Sequence, residues 1–191
     1  AEQGNDYMGN WIRELTKGDR AQLCGEVNSR VGSFLETWPP LEKRWKPMLE
    51  TPIRVELAKG KVVLSGKVDL TLGSAGGNTA GKVIVDFKTG KFSPSHRDDL
   101  RFYALLDTIR IGVPPRLVAS YYLDQGEFSP EEINLDVLES TIARVSNGIT
   151  RLAELHLKIR PPSTQPGPPC RWCLLSQDCE AGQEYLADIS D

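Results

Sequence analysis

The 191-residue chain is predicted to form an α/β domain in which helices flank a small mixed β-sheet. Short runs rich in β-branched residues, separated by glycine-containing turns, indicate strands. Longer segments with apolar residues at every third or fourth position indicate amphipathic helices. The elements follow one another as helix, three-strand meander, helix, strand, helix, and this order favours helices layered on a mixed sheet.

Residues that start or stop regular structure bound the predicted elements. Asp19 can cap the first helix, and the Pro39-Pro40 pair ends it. Ser95 with Asp98 resembles a capping box for the second helix, and Gly112 ends that helix. The predicted helices cover 19–36, 97–111 and 136–159, and the predicted strands cover 53–57, 62–72, 82–88 and 117–123.

Composition and charge are those of an ordinary globular protein. Hydrophobic residues make up 39% of the chain and charged residues 26%. No uncharged apolar run approaches the ~18 residues of a membrane span, and the first residues show no signal-peptide pattern, so we expect a cytoplasmic location. The net charge of −3 argues weakly against a nucleic-acid partner, which would need a local basic patch.

The cysteines are the most specific feature of the composition. Cys170, Cys173 and Cys179 form C-x2-C-x5-C after a proline-rich run, and Cys24 lies far upstream. Clustered thiolates favour zinc or an iron–sulfur cluster. The alternative is a redox or chance pair of thiols with two core cysteines. We expect residues 1–160 to form the core that carries the active site, with a cysteine-containing tail at 161–191.

The third predicted strand carries an acid and a lysine two positions apart, in V-D-F-K-T-G. Since side chains alternate along a strand, Val85 and Phe87 should face a core while Asp86 and Lys88 face the other side. Asp69 lies in the preceding strand, within G-x-V-D. Two carboxylates on adjacent strands can hold Mg²⁺ or Mn²⁺, and a lysine beside them can position water. A buried Asp–Lys ion pair is the alternative, which the tripeptide alone favours.

These motifs, in this order, resemble the PD-(D/E)xK nucleases. The RecB-like branch, with its CRISPR-associated iron–sulfur members and AddB-type helicase–nucleases, is the most similar. In that branch the helix after the D-x-K strand carries Q-x-x-x-Y. Here D-L-R-F-Y supplies Tyr103, and Asp99 stands at the glutamine position, one helical turn away. One early cysteine and a late C-x2-C-x5-C also match, and the resemblance covers about residues 20 to 180.

The resemblance implies a restriction-endonuclease-like core with a cysteine-ligated tail. Family members usually carry His or Glu on the first helix, where Glu26 is the candidate because neither His96 nor His156 lies there. Cys24 falls inside that helix, so a core position is its alternative. The implied catalytic residues are Asp69, Asp86, Lys88, Tyr103, Asp99 and Glu26. The implied metal ligands are Asp69, Asp86, Phe87 and Glu26, and the implied cluster ligands are Cys24, Cys170, Cys173 and Cys179.

The implied function is that of a metal-dependent deoxyribonuclease, acting on single-stranded or end-processed DNA in repair, recombination or defence. Its cofactors would be Mg²⁺ or Mn²⁺ and a 4Fe–4S cluster, with Zn²⁺ as the alternative to the cluster. Its partners would be DNA and a helicase or another repair or defence protein, with no membrane. Between Lys88 and Arg116, six basic residues stand against three acids beyond Asp86, enough for modest DNA affinity. The alternative is an inactive DNA- or protein-binding module that keeps the fold and the metal centre, and Asp99 supports it.

Overall fold

The computed structural model describes residues 3–76 and 80–189. The chain divides into two compact units, Ala1–Val145 and Ser146–Asp191. The predicted boundary at residue 160 stays a prediction. The helices are α1 Gln3–Glu14, α2 Lys17–Thr37, α3 Pro94–Ile111, α4 Leu135–His156 and α5 Glu180–Asp188. The strands are β1 Met48–Leu57, β2 Val62–Leu72, β3 Val83–Lys88, β4 Leu117–Tyr122 and β5 Glu127–Glu132.

The five strands form one mixed sheet in the order β1-β2-β3-β4-β5. All neighbouring strands are antiparallel except β3 and β4, which are parallel and joined through α3. The turn between β1 and β2 places Lys59 and Gly60 at positive φ, so the turn predicted there is confirmed. The mixed α/β fold with a small sheet flanked by helices is likewise confirmed.

One face of the sheet packs against α2. Leu70, Val85 and Tyr121 form its buried centre, and Phe34 of α2 and Trp38, which follows the helix, pack against them. Phe87 and Val83 belong to the same cluster, which confirms that the odd-numbered residues of β3 face a core. Burial on this face is carried largely by aromatic rings, which contribute more area per residue than aliphatic side chains.

The opposite face packs against α3, whose buried residues include Leu100, Ala104 and Leu106. A buried ion pair connects α3 to the residue before β3. Lys82 Nζ is 2.9 Å from Asp107 Oδ2, and the two residues are 5% and 1% exposed. Arg110 Nη2 approaches the other oxygen of Asp107 at 3.0 Å. Asp107 therefore balances two cations, of which only Lys82 is buried.

Helix ends differ in part from the prediction. Thr16, not Asp19, caps α2, because its hydroxyl accepts the Asp19 N–H at 3.1 Å. Ser93 precedes α3 without a side-chain cap, so the capping box predicted at Ser95 was wrong. Gly112 ends α3 at φ 84°, as predicted.

Three of these helices and strands were not predicted: α1, α5 and the edge strand β5. The apolar stripe of α2 is also less buried than its spacing suggested: Val27, Val31 and Leu35 are 49%, 51% and 71% exposed. Within the two described ranges, no helix combines the length and apolarity needed to cross a membrane.

Candidate active site

Strands β2 and β3 and helix α3 bring five of the predicted site residues into one group. The ladder between β2 and β3 runs from Leu72 opposite Val83 to Leu70 opposite Val85 and then stops. The next residues of the two strands are Asp69 and Asp86, so the carboxylates stand where the backbones part. The five residues of the group are Asp69, Asp86, Lys88, Asp99 and Tyr103.

The side chain of Asp69 takes the place of the next backbone hydrogen bond between β2 and β3. Its Oδ2 accepts the Phe87 N–H at 2.8 Å. The strand is irregular here, because Gly66 faces Tyr103 on α3 whereas Leu70, also even-numbered, packs in the α2-face core. Glu50 lies across from Asp69 between the paired residues of β1, with φ of 49°. Side chains of β2 therefore do not alternate regularly between the two faces of the sheet here, and the irregularity changes the direction of the Asp69 side chain. Bulges beside active sites commonly have this effect.

Asp86 is a buried carboxylate whose negative charge is only partly compensated. The residue is 6% exposed, and its Oδ2 lies 2.8 Å from Lys88 Nζ without hydrogen-bond geometry. Burial raises the pKa of Asp86, Lys88 opposes the rise, and the nearby charges of Asp69 and Asp99 add to it. A buried acid left in this state favours any additional cation that can reach it.

Lys88 completes the charged group. Burial alone would lower its pKa, but the attraction of Asp86 and Asp99 together raises it, so the lysine is cationic at neutral pH. Its Nζ also lies 3.5 Å from Asp99 Oδ2. The Asp–Lys ion pair that the tripeptide alone favoured is therefore present, but as part of a larger cluster that includes acids from two other elements.

Tyr103 closes the group from α3. Its ring lies against Gly66, where an added Cβ would stand 2.5 Å from Cε1. Burial raises the pKa of Tyr103, and the carboxylates of Asp86 and Asp99 raise it further, so the phenol remains protonated at neutral pH. A protonated phenol beside two acids can donate a hydrogen bond to an anionic oxygen.

The other two predicted metal ligands are Glu26 and Phe87. Glu26 lies on α2, where Oε1 accepts a hydrogen bond from Gln22 at 3.1 Å and Oε2 lies 3.9 Å from Arg30. Its role as a metal ligand stays a prediction. The Phe87 ring packs in the α2-face core and its N–H is bound to Asp69, so its carbonyl oxygen is the atom it could offer to a cation.

One residue of this region was not identified from the sequence. Asp124, the second residue after β4, accepts the Gly90 N–H at 2.8 Å and the Arg30 Nε–H at 2.7 Å. Arg30 first, and then the Gly90 amide, lower the pKa of Asp124. Since β3 and β4 are parallel, an acid at the end of β4 necessarily lies near the turn after Lys88, and this was the available signal.

The donor set at this site suits a hard divalent cation. Asp86 Oδ2 is buried beside Lys88, and Asp69 supplies a second carboxylate nearby. Such oxygens are the ligands that Mg²⁺ and Mn²⁺ prefer, with water completing the coordination. Among the described residues, no group of three or more histidines, cysteines or acids is already arranged to hold a metal ion. The site therefore offers two protein carboxylates and leaves several positions to water or substrate.

The cysteines lie in different units. In the C-terminal unit, Cys170, Cys173 and Cys179 line one cavity of about 610 Å³, and none of them is in a disulfide. A Cβ at Gly182 would stand 3.4 Å from Cys179 Sγ and 3.7 Å from Cys170 Sγ, so the glycine leaves space beside both sulfurs. Cys24 is exposed on α2, and its alternative reading as a core cysteine was wrong.

Comparison with known proteins assigns the fold to a family. The model of the PD-(D/E)XK nuclease superfamily matches residues 7–180. The solved structure of a "Putative exonuclease" from Eubacterium rectale aligns with a TM-score of 0.53 at 11% identity, covering 94% of this chain and 67% of that one. The structure of SSO0001 aligns at a TM-score of 0.44 and 20% identity, covering 80% and 67%. No curated protein matches significantly. Because the superfamily model spans nearly the whole chain, with Asp69, Asp86 and Lys88 inside the match, the protein belongs to the PD-(D/E)XK nuclease superfamily.

Proposed function

We propose that this protein is a metal-dependent deoxyribonuclease that hydrolyses phosphodiester bonds at the Asp69–Asp86–Lys88 group. One observation carries the proposal: Asp86 is buried with Lys88 Nζ 2.8 Å from its Oδ2, and the nearby carboxylates of Asp69 and Asp99 add negative charge that one lysine does not balance. A structural ion pair would need only Asp86 and Lys88. The additional acids increase the electrostatic repulsion at the site, and a bound divalent cation would offset that repulsion.

Each residue has a role that follows from its position. Asp69 and Asp86 would hold one or two Mg²⁺ or Mn²⁺ ions, which supply Lewis-acid activation of the phosphodiester and of water. Lys88 carries a positive charge next to Asp86 and would orient the attacking water and offset charge that develops on the phosphate. Tyr103 keeps its proton and would donate a hydrogen bond to a phosphate oxygen. Asp69 is fixed for this task by the Phe87 amide.

The proposed substrate is single-stranded DNA or DNA with free ends. Basic residues surround the turn after β3, and Arg97 lies over the exposed ring of Phe92 with its guanidinium 6.0 Å from the ring centroid. An exposed aromatic ring with a cation on it suits a strand with unstacked bases. Membership of the RecB-like branch, action in repair, recombination or defence, and cooperation with a helicase are part of the same proposal and rest on the motif resemblance.

The direct test is cleavage of labelled single-stranded DNA with Mg²⁺ or Mn²⁺ and its arrest by EDTA. Asp86→Asn and Lys88→Ala should each reduce the cleavage rate at least about 100-fold, since each removes a group that acts on the transition state. The matched controls are Asp136→Asn, in the exposed first turn of α4, and Lys61→Ala, in the β1–β2 turn, which should retain the parent rate. Equal rates in all four variants would show that the activity arises elsewhere.

An inactive binding module is the second candidate, and the Asp99–Lys88 contact favours it. Asp99 adds a negative charge 3.5 Å from the lysine and competes with substrate phosphate for it. Asp99→Gln removes this charge. If the parent chain binds DNA in Ca²⁺ without cutting it in Mn²⁺, and Asp99→Gln cuts, then Asp99 is the residue that silences the site.

We also propose a cysteine-ligated centre in the C-terminal unit, with an iron–sulfur cluster as the first choice and zinc as the alternative. The support is that three free thiols line one cavity and that Gly182 leaves space beside two of them. Cys24 is the proposed fourth ligand. Anaerobically purified protein should be brown and contain about four irons per chain. Cys173→Ser should remove the colour. A colourless protein with one zinc per chain would select the alternative, and unchanged metal content in Cys24→Ser would exclude Cys24.

A further inference from the structure

A second cavity, of about 580 Å³, lies on the α2 face of the sheet. Its floor is formed by Val83 and Val85 of β3 and by Leu117 and Ala119 of β4. These residues lie toward the start of the two parallel strands, whereas Lys88 lies at the end of β3, and Val85 faces the opposite side from Asp86. The cavity is therefore separate from the candidate active site.

Three aromatic side chains form its walls: Trp38, Trp45 and Phe128. The Trp38 and Phe128 rings are 5.1 Å apart between centroids and inclined by 36°. Phe128 is 47% exposed, so part of its ring is open to solvent. Aromatic walls of this kind are stacking platforms for planar rings, including nucleotide bases.

The mouth of the cavity is cationic. Arg44 and Arg116 line it, and no aspartate or glutamate among residues 3–76 and 80–189 does so. Arg44 is paired with Glu42 at 2.6 Å, whereas the exposed Arg116 has no ion pair with any residue in those ranges. Lys43 and Lys46 flank Arg44 and Trp45 in the same short turn. Arginine and lysine interleaved with an aromatic ring form a surface suited to phosphates joined to bases.

The chemistry of the walls and of the mouth points to one class of ligand. An apolar cavity of this size with a few polar groups at its entrance is typical of small-molecule sites. We propose that it holds one base of a single-stranded DNA chain, with the base against Trp45 and Phe128 and its phosphate at Arg116. Lys43 and Lys46 lie beyond the cavity lining and would contact neighbouring phosphates of the strand. Their position favours a strand over a free mononucleotide.

The proposal is independent of the nuclease activity. In EDTA the active-site group of Asp69, Asp86 and Asp99 repels phosphate, so the cavity variants are compared without metal, where the active site contributes least to strand binding. The experiment measures fluorescence anisotropy of a labelled oligo(dT) in EDTA at several salt concentrations. Competitors are dTMP, inorganic phosphate and an abasic phosphodiester oligomer of the same length.

Two variants address the two halves of the site. Trp45→Leu should weaken oligo(dT) binding about fivefold or more, which is the lower range of the loss when a stacked base loses its aromatic partner. Arg116→Gln should weaken binding and reduce the slope of log affinity against log salt by about 1, the value of one lost phosphate contact. Arg54→Gln, an exposed arginine on β1, is the charge-matched control and should change neither quantity.

Three results would overturn the proposal. Equal affinity of Trp45→Leu and the parent chain, with both folded by circular dichroism, would show that no base enters the cavity. An abasic oligomer that competes as well as oligo(dT) would lead to the same conclusion. If free dTMP binds as tightly as the oligomer, the ligand of the cavity is a mononucleotide and not a strand. None of these results depends on cleavage, so the nuclease proposal stands or falls separately.

Discussion

Gly66→Ala tests how the sheet and α3 together place the tyrosine of the site. The added methyl group would stand 2.5 Å from Tyr103 Cε1 and 3.1 Å from Cδ1. Carbon atoms in contact are normally about 3.5–4.0 Å apart, so the ring would have to retreat by roughly 1 Å or α3 would have to shift. Overpacking of this kind typically costs about 1–3 kcal/mol of the free energy of unfolding. For a chain of this length that corresponds to a fall in Tm of about 2–12 °C.

The assay combines thermal melting with a double-mutant cycle. In a Tyr103→Ala background the ring is absent, and Gly66→Ala should then cost less than about 0.5 kcal/mol. Gly25→Ala in α2 is the matched control, since an added Cβ there meets nothing within 4 Å and alanine favours the helix by up to about 1 kcal/mol. The reasoning is refuted if Gly66→Ala melts like the parent chain, or if its cost is the same with and without the Tyr103 ring.

Three further predictions follow from buried or capping groups. Burial raises the pKa of Asp86 above its ordinary 3.8. The folded state therefore loses stability as the pH rises from 3.8 through the higher pKa that Asp86 has in the folded protein. In EDTA, Asp86→Asn should raise Tm at pH 7 and have less effect near pH 3.8. Asp107→Asn should lower the free energy of unfolding, measured with urea, by about 3–5 kcal/mol because it leaves the buried Lys82 without a counter-charge. Lys82→Met should lower it less because Arg110 still neutralises Asp107. Equal losses would contradict this geometry. Thr16→Ala should cost about 0.5–2 kcal/mol through the lost cap, and no change in Tm would show that the cap contributes nothing.

Local patterns were sufficient for the strands and helices with clear periodicity. The second predicted strand, 62–72, has the same bounds as β2, and Gly112 ends α3 as predicted. These elements have β-branched alternation or a glycine stop that acts within a few residues. Asp86 and Lys88 were recognised for the same reason, because an acid and a lysine at the end of an apolar strand are visible without tertiary information.

The misses have a different physical origin. Strand β5 reads E-F-S-P-E-E, in which three glutamates and a proline oppose strand formation, and its pairing with β4 overrides that preference. Asp124 was not identified because its partners Arg30 and Gly90 are remote in sequence. The Thr16 cap was missed because Asp19, three residues later, is also a good capping residue. In each case a tertiary contact or a choice between similar residues decided the outcome.

The two outer strands of the sheet have a consequence for how other chains can associate with it. An exposed strand edge normally offers a row of unpaired amides and carbonyls that an extended peptide can join. Edge strand β1 carries Pro52 and the positive-φ residue Glu50, and edge strand β5 carries Pro130 and three glutamates. Proline removes a donor, the turn at Glu50 breaks the line of the strand, and the glutamates add repulsion. Both borders therefore resist strand addition, and we expect helix faces and side-chain surfaces, not sheet extension, to mediate any assembly of this protein.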